Sequence, residues 1–208
     1  MGIKSSHRLS GYGAGLICLA ILKISAPAFC DEPLSPSEVQ SCFEKAVQAR
    51  KVGDLPEAMR WLRQAADNGH AQAQVDLGDL LDKAEFNEQA FELYQKAAVQ
   101  DNIDGMFHLA MLYAKGEGVE KNQQLAMRWF IGAAEAGDAR SQNLVARAYE
   151  FGKAGIPVNR DKALYWYRRA AENDFRDAVV RLIQVYEKGE LGQGIDLEKA
   201  AGLRAKLP

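Results

Sequence analysis

The residue types and patterns that are scarce in this sequence exclude several classes of protein. Six prolines and 18 glycines among 208 residues are too few for a low-complexity chain. No segment shows the strict apolar–polar alternation that is typical of a strand, so we expect an all-α fold. The net charge is −2, whereas nucleic-acid binding depends on concentrated Lys and Arg, so we expect no nucleic-acid partner.

Residues for a metal or a catalytic site are also scarce. Cysteine does not occur beyond position 42, and the histidines are His7, His70 and His108. A zinc site needs three or four converging ligands, and no cysteine or second histidine lies near His70 or His108 in the sequence. The glycines at 116–118 lack the Lys-Ser/Thr of a phosphate-binding loop. We therefore predict no metal, no cofactor and no enzymatic activity.

The first 28 residues differ from the rest. A basic start with Lys4 and Arg8 precedes an apolar run over 13–22, and Ala26-Pro27-Ala28 places small residues where a signal peptidase reads. This is the layout of a secretory signal peptide, and the run is shorter than the roughly 20 apolar residues that span a bilayer. We predict a signal peptide over 1–28, with an uncleaved membrane anchor as the alternative. The mature protein is then periplasmic or secreted, without a membrane span.

The cleavage position decides whether Cys30 remains in the mature chain. A cut after Ala28 retains it and a cut after Cys30 removes it. If it is retained, it can form a disulfide with Cys42 in an oxidising compartment. Removing 1–28 lowers the basic residues from 26 to 23 while the acids stay at 28, so the mature chain has a net charge of −5.

An internal repeat fills the remainder of the chain. Its marker is a pair of alanines, which recurs at intervals of 32, 36 and 37 residues. A large apolar residue precedes each pair by four positions, and another alanine stands three positions earlier. The pairs are 65–66, 97–98, 133–134 and 170–171, and the large residues are Trp61, Leu93, Trp129 and Trp166. This spacing places them on one helix face, where we expect each tryptophan to be buried.

A second apolar stripe begins at Leu77, Leu109, Val145 and Leu182, and it predicts another helix before each alanine pair. Glycines such as Gly116 and Gly152 follow these helices and can end them in the left-handed conformation. We predict a short leader at 29–34 and five helical hairpins at about 35–69, 70–103, 104–138, 139–175 and 176–208. Each hairpin buries its apolar face mainly on its neighbours.

The segment Ala110-Met-Leu-Tyr-Ala-Lys-Gly-Glu-Gly-Val119, followed by Trp129-Phe130 and Ala133-Ala134, resembles the Sel-one-like repeat (SLR), a relative of the tetratricopeptide repeat. The resemblance covers about 35–208. The second hairpin lacks the Gly-x-Gly-Val segment, and the last has lost its Trp and its alanine pair, as is common in terminal units. The resemblance implies an α/α superhelix (solenoid) of about five hairpins, whose first helices line a concave binding face.

Projecting the non-core positions of these first helices gives three candidate rows on that face. The rows are Val75, Phe107, Asn143 and Val180; Asp79, Met111, Arg147 and Gln184; and Asp82, Ala114, Glu150 and Glu187. Phe107 and Met111 then form an apolar centre flanked by charge, which is the anatomy of a peptide groove. The alternative is that both side chains pack within their hairpin. The predicted partner-binding residues are Val75, Asp79, Asp82, Phe107, Met111, Asn143, Arg147 and Glu150.

We expect a non-catalytic scaffold or adaptor that binds a protein or peptide. Two alternatives remain open from the sequence. One is a cell-envelope enzyme acting on peptidoglycan, which would need converging acids in a pocket. The other is a secreted effector that acts on a host protein. The sequence identifies neither the partner nor the oligomeric state.

Overall fold

The computed structural model describes residues 34–207, and over that range the chain forms ten α-helices. They are α1 (Pro36–Lys51), α2 (Leu55–Asp67), α3 (Ala71–Lys83), α4 (Asn87–Ala98), α5 (Ile103–Lys115), α6 (Gln123–Glu135), α7 (Ala139–Phe151), α8 (Arg160–Glu172), α9 (Arg176–Lys188) and α10 (Leu197–Arg204). Consecutive helices form five hairpins, and each hairpin packs on the next. The predicted all-α solenoid is confirmed.

The predicted signal peptide and Cys30 lie outside the described residues. Cys42 lies in α1, where it is buried, and burial raises the pKa of its thiol. Among residues 34–207, no helix combines the length and the apolar composition that crossing a membrane requires.

The first two helices each begin after a residue whose side chain caps the helix. Ser35 accepts from the backbone N–H of Glu38, and the Glu38 carboxylate accepts in return from the N–H of Ser35 at 2.9 Å. This reciprocal pair, followed by Pro36 at the first helical position, is a capping box. Asp54 caps α2 by accepting from the N–H of Glu57 at 3.1 Å.

The alanine pairs lie where one hairpin passes to the next. All eight alanines are buried, and their small side chains let the following helix come close. At Gly105, for example, an added Cβ would lie 2.7 Å from the Cβ of Ala97. The carbonyls of each pair also accept the two N–H groups that follow the helix end, as Ala134 does from Gly137 and Ala133 does from Asp138. The pair therefore provides both close packing and helix termination.

The tryptophans do not occupy the most buried position, contrary to the sequence-based expectation. Trp61, Trp129 and Trp166 are only partly buried. The residue after each of them, and after Leu93, is the one enclosed between hairpins. These enclosed residues are Leu62, Tyr94, Phe130 and Tyr167. The apolar stripe is thus rotated by one residue, with the indole rings at its edge.

Two buried glutamines form hydrogen bonds across the junctions that precede the second and fourth hairpins. Gln74 in α3 donates to the carbonyl of Ala66 at 3.1 Å and accepts from the Gln100 amide at 2.8 Å. Gln142 in α7 repeats this arrangement: it donates to Ala134 at 3.1 Å and accepts from Asn173 at 3.2 Å. Because both amides are buried, each needs these partners to offset its desolvation.

The loop after α5 packs against the preceding hairpin. Gly118 has a φ of +67°, and a Cβ at this position would collide with the backbone of Asn87 at the start of α4. Gly116, the C-cap of α5, has a φ of +83°. The two glycines therefore serve different purposes, since Gly116 ends the helix and Gly118 permits backbone-to-backbone contact between hairpins.

Candidate functional site

A surface depression opens between α7 and α9, the first helices of the last two hairpins. Its volume is about 470 Å³. We call it the α7–α9 depression. Its lining residues are Asn143, Arg147, Glu150 and Phe151 of α7, Tyr167 of α8, and Asp177, Val180, Arg181 and Gln184 of α9.

An ionic cluster forms the wall of the depression. The Arg181 guanidinium donates to both oxygens of Glu150 and, through Nη1, to Glu190 at 2.6 Å. The Tyr167 hydroxyl donates to the same Glu150 carboxylate at 2.6 Å. The Glu150 side chain is only 6% exposed, so these charge-assisted bonds offset the cost of burying its charge.

The Tyr167 hydroxyl and the Arg181 guanidinium both stay protonated at ordinary pH. Burial and the hydrogen bond to Glu150 raise the pKa of Tyr167, so its hydroxyl remains a donor at ordinary pH. The bond to Glu150 likewise raises the pKa of Arg181. Both pKa values are therefore shifted away from neutrality, where a general acid or base would need them. The bonds of the cluster instead link α7, α8 and α9 to one another.

Three other polar groups of the depression lack such partners within the part of the chain that the structure describes. Asn143 is 6% exposed, yet no hydrogen bond of its side-chain amide is found among the described residues. Arg147 and Asp177 are exposed, and neither forms an ion pair with another residue in the range 34–207. The depression thus contains polar groups whose bonding capacity is unused within that range.

Apolar side chains lie beside these polar groups. Phe151 at the end of α7 is 56% exposed and Val180 in α9 is 38% exposed. Both line the depression. An apolar surface next to unpaired polar groups is the usual composition of a binding site.

Five members of the predicted rows meet here. Asn143 and Val180 come from one row, Arg147 and Gln184 from the next, and Glu150 from the third. Of the predicted partner-binding residues, Glu150 has its carboxylate occupied by Arg181 and Tyr167, so it supports the wall and offers little to a partner.

The structure places Phe107 and Met111 against the core cluster around Phe130 and Ala110, where both are partly buried. The Phe107 ring lies 5.8 Å from that of Phe130, and the Arg140 guanidinium covers it at 4.0 Å from the ring centroid. These contacts agree with the alternative in which the two side chains pack their hairpin. Partial exposure leaves each a smaller surface than the apolar centre expected from the sequence.

The remaining predicted residues belong to α3. Val75 is 2% exposed, so its side chain offers almost no surface to a partner. Asp79 accepts from the Tyr94 hydroxyl at 2.7 Å and lies 3.7 Å from Nε2 of His108. Asp82 is partly exposed one turn further along the helix.

The Asp79–Tyr94–His108 group parallels the Glu150–Tyr167–Arg181 cluster. Tyr94 and Tyr167 are each the eighth residue of their helix, and His108 and Arg181 are each the sixth. In both cases a tyrosine of a second helix bonds an acid of its own hairpin and faces a basic residue of the next. His108 also stacks on Tyr94 with ring centroids 4.9 Å apart.

Sequence reasoning missed Phe151, Asp177 and Arg181 as lining residues. Asp177 and Arg181 lie one turn apart on α9, on either side of Val180, a residue that the projected rows did contain. His70 also has a structural role that the sequence did not indicate: its Nδ1 accepts from the N–H of Ala73, so it caps α3, and its ring stacks on that of Phe43 with centroids 4.3 Å apart.

Metal ligands do not converge in this part of the molecule. Over the described range, no group of three or more His, Cys, Asp or Glu side chains is arranged to hold a metal ion.

Comparison with known proteins gives the same architecture. Rat DAP3-binding cell death enhancer 1 is 31% identical over 100 residues, which is 47% of this chain and 20% of that protein. The chain therefore spans about a fifth of the length of this relative. A Sel1 repeat protein from Oxalobacter formigenes is 28% identical, with a TM-score of 0.71 over 81% of this chain and 70% of that one.

A protective antigen of uropathogenic Escherichia coli, described as displaying an SLR fold, is 25% identical with a TM-score of 0.54. The alignment covers 81% of this chain and 45% of that chain. The model of the Sel1 repeat matches residues 42–70, 87–102, 103–138 and 139–175. Proteins built from this repeat are generally non-catalytic scaffolds, typical of protein-binding adaptors. Since the repeat accounts for more than half of its residues, the chain belongs to the Sel1 repeat family.

Proposed function

We propose that this protein is a non-catalytic adaptor that binds a protein or peptide partner on the face formed by its first helices. The observation that carries the proposal is the α7–α9 depression, where the Asn143 amide and the exposed Arg147 have no partners among residues 34–207. Unused hydrogen-bonding capacity beside the exposed Val180 favours a binding surface over a purely structural one.

The ionic cluster supports a scaffold function more than a catalytic one. Glu150 is the acid held deepest in the depression, but its carboxylate is already bonded to Arg181 and Tyr167. A general acid or base must reach the proton that it transfers. The other acid of the depression, Asp177, is exposed and stands apart from this cluster along α9.

Affinity capture with matched variants tests the proposal. Val180→Lys adds a charge to an exposed apolar position of the depression, and Tyr165→Lys does the same on α8, at a position 53% exposed and outside the depression. We expect wild type and Tyr165→Lys to capture the same proteins from an envelope extract. Val180→Lys should reduce that recovery by roughly tenfold or more, the effect of about 1.4 kcal/mol.

Quantitative mass spectrometry of the eluates measures this effect, and thermal melts establish that all three proteins fold. If Val180→Lys recovers the wild-type proteins in full, the depression does not bind them and the proposal is wrong.

We also propose that the adaptor works in the periplasm or is secreted, because residues 1–28 have the layout of a signal peptide. Expressed with a C-terminal tag in a Gram-negative host, the full chain should appear outside the cytoplasm. Intact-mass analysis should show the loss of residues 1–28 or 1–30. A full-length, cytoplasmic product would contradict this localisation.

A further inference from the structure

We infer that the α7–α9 depression receives an extended segment of the partner protein that carries an acidic side chain. The backbone of the segment bonds to the Asn143 amide, and its carboxylate pairs with Arg147. The inference rests on the proposed function and adds the chemistry of the partner to it.

The first support is the state of Asn143. Asn143 is only 6% exposed as a residue, it lines the depression, and its amide has no hydrogen-bond partner in the described part of the chain. Its amide atoms are not among the fully buried unpaired polar atoms of that range, so the amide still reaches the surface of the depression. A carboxamide both donates and accepts hydrogen bonds, and so does a backbone peptide group. An extended segment can satisfy both functions of Asn143 with one of its own peptide groups. A ligand that only donates or only accepts would leave half of the amide unpaired.

The second support is the charge on Arg147. It lies one turn beyond Asn143 on the same helix, so both residues face the depression. Arg181, the other arginine of the depression, is already paired with Glu150 and Glu190. Among residues 34–207, Arg147 is therefore the guanidinium of the depression that remains available to a ligand. Carboxylates are its natural partners, because they accept two parallel hydrogen bonds from one guanidinium.

The negative charge of Asp177, at the other end of the depression, limits how many acidic residues the bound segment can carry. Asp177 is exposed and lies one turn before Val180 on α9, whereas Arg147 belongs to the row that follows Val180 and Asn143. The depression thus has a negative end and a positive end. A uniformly acidic segment would be repelled at Asp177, so the occupant has one acid at the Arg147 end and a neutral or basic residue at the other. An apolar side chain of the segment can then contact Val180.

Selection from a displayed library of random linear peptides tests the inference. Peptides that bind the wild-type chain should share Asp or Glu at one position. With Arg147→Glu, the preferred residue at that position should change to Lys or Arg. Arg169→Glu makes the same charge change on the exposed surface of α8, outside the depression, and should leave the acidic preference unaltered.

A second variant tests the backbone bond. Asn143→Leu has a side chain of similar size without hydrogen-bonding groups. For a synthetic peptide taken from the wild-type selection, it should weaken binding by about tenfold or more in calorimetry. Thermal melts confirm folding, and Arg147→Glu, at an exposed position, keeps the inference testable if Asn143→Leu unfolds.

The inference is overturned if the selected peptides show no shared acid, or if Arg147→Glu selects the same peptides as wild type. It is also overturned if no linear peptide is enriched. In these cases the adaptor proposal still stands wherever Val180→Lys abolishes partner capture, because a folded partner of other chemistry can use the same surface.

Discussion

Tyr167→Ala should destabilise the protein by about 3–5 kcal/mol, the usual cost of emptying an aromatic core site. The Tyr167 ring is 1% exposed between the last two hairpins, and its hydroxyl anchors Glu150. Removing it leaves a cavity and takes one bond from a buried carboxylate. Urea denaturation followed by circular dichroism measures the change in the free energy of unfolding.

Two neighbouring variants separate the contributions. Tyr167→Phe keeps the ring and loses the bond to Glu150, so it should cost about 1–3 kcal/mol. Trp166→Ala removes a larger side chain from a partly buried position and should cost less than Tyr167→Ala, about 1–3 kcal/mol. If Trp166→Ala were the more damaging of the two alanine variants, the tryptophan would be the true core position.

Gly118→Ala should destabilise the protein by about 2–5 kcal/mol, because two costs add. A left-handed φ costs a residue with a Cβ about 1–2 kcal/mol. The Cβ would also collide with the backbone of Asn87, and backbone shifts forced by overpacking cost about 1–3 kcal/mol. The same denaturation experiment measures the total.

Gly137→Ala is the matched control. Gly137 also has a positive φ, +105°, but no atom of the described residues lies within 4 Å of the place where its Cβ would stand. It should therefore show the conformational cost alone, about 1–2 kcal/mol. Equal losses in the two variants would mean that the loop does not depend on close contact with α4.

The sequence predicted the hairpins well because the alanine pairs recur. A small residue is required wherever two helices cross closely, so Ala97 and Ala133 mark the junctions even without any knowledge of what packs there. The ends of these helices were equally predictable from the sequence, because Gly116 and Gly152 both adopt the left-handed conformation at a C-cap.

The rotation of each second helix was not predictable in the same way. Starting from Ala163, both Trp166 and Tyr167 fall close to one face, since they are three and four residues away and a turn takes 3.6. The larger side chain was assumed to be the enclosed one. Packing selects Tyr167, because its ring fits between hairpins and its hydroxyl meets Glu150.

The candidate site was predictable only as rows of residues. Projection brought Asn143 close to Val180, but it could not show that the Asn143 amide has no hydrogen-bond partner among residues 34–207. Nor could it show that Glu150 is occupied by Arg181, 31 residues away. Such pairings depend on side-chain rotamers and on the offset between neighbouring hairpins, neither of which follows from the repeat length.

The buried glutamines have a consequence for assembly of the stack. Similar repeats risk docking on the wrong neighbour, a characteristic failure of repeat proteins during folding. Gln74 and Gln142 each find a carbonyl of the preceding hairpin and an amide at the end of their own. The third and fifth hairpins carry Met106 and Val179 at the equivalent position. A hairpin that docked with either helix displaced from the preceding carbonyl would leave a buried amide unpaired, so these two glutamines favour the native register of each hairpin on its neighbour.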